Sequence, residues 1–515
     1  MVAAIADFYA GCSIFVIGFT GFMGRVLVEK LLRSCSDIKA IYVLIRPKNN
    51  QDVRQRLEDV FSSKLFDKLR KERPEFRTKV IPVNGNMLEP HLGMSQSDMT
   101  RLVTDVSVVF HAAATANFEE HLKSGVLMNL HGVKKLAELC KQMSKLEALV
   151  YVSTVFANCD RSQVQEAIYP PALQPQKLME AAEWMDAEMM EILAPHLIGK
   201  RPNTYTYIKA MVEYLLVEEY ASLPIAIIRP SIVGASLREP FPGWLDNFDG
   251  PTNLLTKVGK GILRSMMGNV NGKADVVPID LVINLMIASA WYTSVHRPSN
   301  TMVYNLTTGN LNKATWGHWE RYVRDYFLKN PLDHPLRVPR LRFTTSSVWF
   351  RLNHWIDHDL RAYVLDFFRL LMGRQPCSVQ YNESQKKTLK SLDYFTLNQW
   401  EFSNDNLVML WNKVNKEDQS VFNFNVKSIN WPSYVENYCL GVKRYFLKEE
   451  LSGLPGARRA MKRLQYSWFL IKITTFIILW CLLAKRVAVA RALWQKVIFL
   501  ALFIYQKLPS FAKSH

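Results

Sequence analysis

Tyr205 and Lys209 stand four residues apart in Arg201-Pro-Asn-Thr-Tyr205-Thr-Tyr-Ile-Lys209. On a helix beginning soon after Pro202 that spacing puts both side chains on one face. A tyrosine alone titrates at about 10 and is a poor acid at neutral pH. A neighbouring ammonium favours the phenolate and lowers that value. Tyr207 competes for the role, but only Tyr205 has a lysine at i+4. Ser153-Thr154 closes the apolar run Ala148–Val152, and a hydroxyl at a strand end can hold a substrate oxygen beside Tyr205. Ser153, Thr154, Tyr205 and Lys209 therefore make a proton-donating catalytic set for a carbonyl that receives a hydride. Lys209 can also hold the ribose hydroxyls of the cofactor that brings the hydride.

A second set reads as the cofactor site. The run Ser13–Ile17 leads into Gly18-Phe-Thr20-Gly21-Phe22-Met23-Gly24, and a helical pattern follows. Glycines there allow a tight turn and a close backbone approach to a pyrophosphate, which the helix N-terminus favours. The strand Ile41–Ile45 ends in Arg46-Pro47-Lys48, where an NAD site usually carries Asp or Glu on the ribose 2′-hydroxyl. A guanidinium binds a 2′-phosphate bidentately, so the expected cofactor is NADPH. His111-Ala112-Ala113-Ala114 closes the fourth strand with small residues that let the chain pass beneath the cofactor. His111 either touches the cofactor or caps the strand. Pro230 and Ile232, after the last strand, complete the expected cofactor-binding set.

These residues need a doubly wound parallel α/β sheet to bring them together. Six candidate strands, Ser13–Ile17, Ile41–Ile45, Lys79–Val83, Val106–Phe110, Ala148–Val152 and Ile225–Arg229, alternate with helical patterns over Gly24–Arg33, Val126–Met143 and Tyr205–Ala221. Ile232 to about Ile279 reads as loops over a pocket, and a helical, aromatic-rich region runs from roughly Arg351 to Leu447. With 515 residues, two folded units plus appendages are expected. The boundaries are 1–285 for the reductase domain, 286–350 for its completion, 351–450 for a helical domain and 451–515 for a basic tail. Seven scattered cysteines form no CxxC or Cys/His cluster, which argues against a zinc site or disulfide framework. Of the net charge of +18, the tail supplies +11, because no acidic residue follows Glu450. Charge beside apolar segments points to a membrane surface with anionic lipids and not to nucleic acid. Tyr466–Ala484 is apolar except for Lys472 and is expected to span the bilayer, with Lys472 snorkelling and Trp468 at the interface. Val497–Tyr505 is too short to cross as a helix.

The glycine turn, the Ser-Thr pair and the Tyr-Lys pair resemble the extended short-chain dehydrogenase/reductases. Arg201-Pro-Asn-Thr-Tyr205-Thr-Tyr-Ile-Lys209-Ala, Arg229-Pro-Ser-Ile-Val-Gly234 and Glu239-Pro-Phe-Pro-Gly-Trp244-Leu-Asp-Asn-Phe-Asp-Gly-Pro251 are similar to the alcohol-forming fatty acyl-CoA reductases. Lys64-Leu-Phe-Asp67, Glu183-Trp-Met-Asp186, Asn437-Tyr-Cys-Leu-Gly441 and Leu454-Pro-Gly-Ala-Arg458 extend the likeness over essentially the whole chain. It is greatest to the two vertebrate peroxisomal members. The resemblance implies a long-chain fatty acyl-CoA substrate, a fatty alcohol product for wax and ether-lipid synthesis, and a tail anchor in the peroxisomal membrane with the catalytic domain facing the cytosol. Two hydride transfers are expected: Tyr205 and Thr154 bond the oxyanion of the thioester carbonyl, CoA thiolate leaves, and Tyr205 protonates the second product. The chain departs from the family at Ile17 (usually Thr), Ala112 (usually Cys), Phe156 (usually Tyr) and Asn117 (usually Arg). Ile17 and Phe156 each remove a hydroxyl expected near the cofactor. Two rival readings stay open: a reductase of another hydrophobic carbonyl or one that stops at the aldehyde, and a membrane-bound paralogue that binds nucleotide or acyl-CoA without turnover.

Overall fold

The computed structural model describes residues 4–48, 51–113, 120–247, 250–486, 492, 494–500 and 502–503. Asn117 lies outside them. Seven short runs rich in Val, Ile and Tyr form one parallel sheet: β1 (Ser13–Ile17), β2 (Ala40–Ile45), β3 (Val80–Asn84), β4 (Val108–His111), β5 (Ala148–Val152), β6 (Ile225–Pro230) and β7 (Met302–Leu306). Their order is β7-β6-β5-β4-β1-β2-β3. β1 pairs in register with β2 on one side (Ile17 with Leu44) and β4 on the other (Ile17 with His111). The winding reverses between β1 and β4, and in such sheets ligands bind where that reversal opens a crevice at the strands' carboxyl ends.

Helices α1 (Phe22–Ser34), α2 (Gly132–Gln142), α3 (Thr204–Glu219) and α4 (Ile279–His296) cover the sheet on its two faces. One apolar core takes Ile14, Val16, Leu27 and Leu31 together with nearly every apolar residue of α4; the other takes Phe15, Ile17, Leu136, Met211 and Leu215. Strands buried on both faces read as continuous apolar runs, and for that reason their positions are visible in the sequence. The helical pattern Val126–Met143 is divided: Val126–His131 forms a π-turn ahead of α2. The expected loops over Ile232–Ile279 contain a helix, Pro251–Gly259, and three short strands.

Beyond the sheet, α5 (Ser347–His354), α6 (Leu360–Leu371) and α7 (Ser378–Leu397) form an outlying layer. α8 (Trp431–Gly441) instead packs on the sheet domain. Its Trp431, Tyr434 and Tyr438 surround Trp319, with ring centroids 6.0–6.3 Å away. The last long helix, α9 (Leu454–Arg486), has 33 residues and contains the stretch expected to span a membrane. Among the described residues it is the one helix long and apolar enough for that, and its apolar window is wholly unburied.

Candidate active site

α3 starts where Asn203 accepts the Thr206 N–H at 2.9 Å, an N-cap that fixes the register of the residues after it. Tyr205, Lys209 and Glu213 then fall on one stripe at successive i+4 steps. The Lys209 ammonium donates to the Val152 carbonyl at 2.6 Å and to the Tyr151 hydroxyl at 3.2 Å. It also lies 5.9 Å from the centre of the Tyr205 ring. Burial pushes Lys209 down to about 7, against a smaller upward pull from Glu213. Burial likewise pushes Tyr205 up to about 12. The spacing alone predicts a lowered tyrosine; in the fold, burial raises it, and Lys209, itself lowered to about 7, is already neutral where Tyr205 titrates. Glu213 is held by a buried bidentate pair with Arg229, at 2.8 and 2.7 Å, and Arg229 also donates to the Gln165 and Ala167 carbonyls.

Ser153 follows β5, and its N–H donates to the Ile228 carbonyl at 2.7 Å. Its Oγ is buried without a hydrogen-bond partner among the described residues. Thr154 differs: its hydroxyl donates to the Pro230 carbonyl at 3.4 Å and accepts the Phe156 N–H at 3.3 Å, capping a short turn. Of the two expected hydroxyls, the Ser153 one is thus the less committed. His111 is buried with both ring nitrogens unpartnered among the described residues, and its ring centre is 5.4 Å from that of Tyr151. Desolvation and the nearby Lys209 push it down to about 3, so it is neutral at physiological pH. A buried imidazole left unpaired is costly unless a ligand completes it.

The glycine turn has a steric reason at each end. Gly18 adopts φ +95°, and a Cβ there would lie 2.7 Å from the Ala112 carbonyl carbon and the Ala113 nitrogen. A Cβ on Gly24 would lie 2.2 Å from the Gly18 oxygen. Gly21 caps α1 with no side chain on the first N–H groups, which is the cradle a pyrophosphate requires. Thr20 turns its carbonyl to Arg25, whose Nε and Nη2 donate at 3.0 and 2.7 Å. Phe22 and Met23 are half-buried in the first turn, and Phe22 stacks on Trp244 at 5.6 Å. Arg46 and Lys48 are exposed past β2. The Arg46 carbonyl accepts from Arg56, and the Arg56 guanidinium is pushed down by desolvation and by Arg46 and Arg25. Arg46 and Arg56 thus share this corner, whereas the Arg25 guanidinium is held by Asp246 at 2.6 Å. Ile232 donates its N–H to the Asp275 carbonyl at 3.2 Å, beyond Pro230.

Two family models, both described as "Male sterility protein", match residues 16–286 and 357–449. Fatty acyl-CoA reductase 1 of Xenopus laevis is 43% identical over 497 residues, spanning 96% of each chain. The human protein of that name is 42% identical over 501 residues, with 97% of each chain covered. Fatty acyl-CoA reductase 2 of Mus musculus is 41% identical over 515 residues, 100% of this chain and 99% of its own. The chain belongs to the fatty acyl-CoA reductase family. The terminal reductase domain of the myxalamid biosynthetic pathway, at 19% identity and TM-score 0.56, covers 85% of this chain and 92% of its own and shares the fold. A nicotinamide cofactor and an oxidoreductase scaffold follow from the family.

Within this fatty acyl-CoA reductase, the departures fall differently from the sequence reading. Phe156 lies in an aromatic cluster with Phe395, Trp400 and Phe402, at centroid distances of 5.1–6.0 Å, so its role there is packing. Ile17 is buried in the sheet core. The Pro-Phe-Pro-Gly-Trp segment is a clamp: Glu239 pairs with Lys30 and Arg33 of α1, and Asp246 pairs with Arg25 at 2.6 Å. Sequence reasoning missed Glu213, although its i+4 step from Lys209 signals it, and missed Arg56, whose contact with Arg46 exists only in three dimensions.

Proposed function

We propose that the protein reduces a long-chain fatty acyl-CoA to the primary alcohol with NADPH, releasing CoA, while anchored in a membrane by α9. The observation that carries this reading is the Tyr205–Lys209–Glu213 stripe beside the end of β5, in a chain 41–43% identical along its length to named fatty acyl-CoA reductases. NADPH, when bound, supplies the hydride for each of two reductions, thioester to aldehyde and aldehyde to alcohol. Gly18, Gly21 and the first turn of α1 receive its pyrophosphate, and Arg46 with Arg56 receives the 2′-phosphate. Ser153 Oγ and Thr154 Oγ1 bond the substrate oxygen as charge builds on it. Tyr205 Oη delivers the proton that completes the alcohol, and Lys209, near neutral in its proton affinity, returns one to it. His111, neutral and buried, positions the cofactor end of the pocket. The family resemblance and the apolar helix support a peroxisomal membrane with the catalytic domain in the cytosol, feeding wax and ether-lipid synthesis.

The test is product analysis. Membranes carrying the full chain, with NADPH and a chain-length series of labelled acyl-CoAs, are expected to yield alcohol. Tyr205→Phe is expected to lose both steps. Undiminished alcohol from that variant would overturn the assignment. Saturable NADPH binding without product on any acyl-CoA would identify a paralogue that binds and does not turn over.

A further inference from the structure

α6 is anchored by very little of itself. Only Ala362 and Asp366 are buried along its length. The Asp366 carboxylate accepts the N–H groups of Cys377, Ser378 and Val379 at 2.9–3.1 Å, clasping α6 to the start of α7 through polar contacts. That leaves the apolar side chains of α6 facing outward: Phe367 is 59% exposed, Phe368 52% and Leu371 68%. Val348, Trp349 and Trp355, before α6, are also exposed. Soluble monomers rarely leave a contiguous apolar patch of more than roughly a few hundred Å² in water.

The position of this face tells what covers it. Arg264 pairs with Asp357, in the turn joining α5 to α6, at 2.7 Å. The same guanidinium lies 5.6 Å from the ring centre of Trp468, where α9 leaves the domain. The outward face of α5–α6 is thereby tied to the start of the apolar helix. The rim is basic. Arg264, Arg324, Arg340 and Arg342 line a groove of about 380 Å³ beside Trp468, with Glu320 the one carboxylate among the described residues that line it. Arg337 donates to the Asp357 carbonyl at 2.5 Å and is pushed down by desolvation and by its neighbours Arg361 and Arg264, so further cations gather at this turn. An apolar face carrying Trp and Phe, bordered by arginines and continuous with a membrane helix, has the make-up of an interfacial element.

We propose that α5–α6 is a second membrane contact. It lies in the interfacial layer of the same bilayer that α9 enters, with Phe367, Phe368 and Leu371 among the acyl chains and the arginine rim on anionic headgroup phosphates. The proposal rests on the reading of α9 as a membrane span and is independent of the reaction catalysed. Two contacts, one spanning and one lying flat, fix the tilt of the reductase domain against the membrane.

The full-length chain, reconstituted in vesicles of phosphatidylcholine and phosphatidylserine with a photoreactive diazirine in the acyl chains, tests this by peptide mapping. Lipid adducts are expected on the tryptic peptides 362–369 of α6 and 473–485 of α9, and none on the peptide holding the exposed Trp184 and Ile192. Changing Phe367, Phe368 and Leu371 together to Glu should lower the α6 adducts at least about tenfold and leave those on α9 unchanged. Adducts on α9 with none on α6 would overturn the proposal and leave the anchor reading standing. Adducts on neither would remove both. Cross-links from α6 to a second copy of the chain, in place of lipid, would reassign the face to self-association.

Discussion

If NADPH is the cofactor, as proposed, Arg46 selects it through charge. If the corner formed with Arg56 receives a 2′-phosphate, removing one guanidinium costs a charge-assisted bidentate contact and leaves catalysis intact. Arg46→Ala is expected to raise KM for NADPH by roughly 10–100-fold, the equivalent of about 1.5–3 kcal/mol, with NADH turnover little changed. Steady-state kinetics with both cofactors check this, and equal losses with each would remove Arg46 from the site. His111 makes a separate prediction about stability. Its folded value, about 3, lies below the ordinary 6.5, so the unfolded chain takes up the proton first as pH falls. The sign is therefore destabilising in acid: the contribution is intact above 6.5 and is lost toward 3. From pH 7.5 to 5.5 the loss is about 1.3 kcal/mol. His111→Gln should flatten the pH dependence of the urea midpoint over that window, and an unaltered slope would contradict it. At this level the sequence makes plain whatever depends on local spacing. Tyr205 and Lys209 read off the helical repeat, and Arg46 off the strand end. Arg56 does not, because it meets Arg46 only through the fold, and Ser153 and Thr154 can be told apart only once their hydrogen bonds are known.

Among elements, the decisive contact is the one between the 239–247 clamp and α8. A Cβ on Gly441 would sit 1.8 Å from the Gly243 oxygen, and one on Gly243, at φ +74°, would sit 2.1 Å from the Asn437 oxygen. Backbone meets backbone here, so nothing flexible can yield. Gly441→Ala should lower the unfolding free energy by about 1–3 kcal/mol, at the upper end of that range, through overpacking. Gly456 is the matched control: it lies in α9 with nothing within 4 Å of where a methyl would stand, and alanine there should be neutral or slightly stabilising. Denaturant midpoints in detergent compare the two, and equal effects would mean the contact between clamp and α8 does not hold the domain. Burial decides which elements the sequence displays and which it hides. All six expected strands are present within two residues, since buried parallel strands write themselves as unbroken apolar runs. The seventh strand, Met302–Leu306, interrupts that run with Tyr304 and Asn305 and carries no such signal. The short strands and the helix within Ile232–Ile279 read as loops because Gly and Pro dominate there, and their order comes from α8 and α4 packed across them.

For the molecule as a whole, α9 is both part of the folded domain and its exit from it. Ala457 and Met461 are buried against the domain, and Arg458 donates to the Lys329 carbonyl at 2.8 Å and to Asn330 Oδ1 at 2.9 Å. From Tyr466 to Leu482 the same helix is largely exposed. If α9 spans a membrane as proposed, a helix that continues unbroken out of a folded surface holds the reductase domain at a set height above the bilayer, as a flexible linker would not. The division predicts where the chain can be cut. Ending it after Leu464 keeps the turn that is buried and removes the exposed ones together with the Trp468 ring beside Arg264, so the unfolding midpoint should shift by no more than about 1 kcal/mol equivalent, and cofactor binding at the glycine turn should persist. In membranes the full chain should resist alkaline carbonate while the shortened chain is released. Spanning helices withstand that treatment, and elements lying in the interface do not. If α5–α6 touches the bilayer as proposed, the shortened chain should still sediment with anionic vesicles at low salt and leave them as salt rises, because its remaining hold is arginine on phosphate plus a shallow apolar face. Carbonate resistance surviving the cut would show that the span lies elsewhere. Complete loss of vesicle binding at low salt would show that α9 is the sole contact and that the arginine rim faces water.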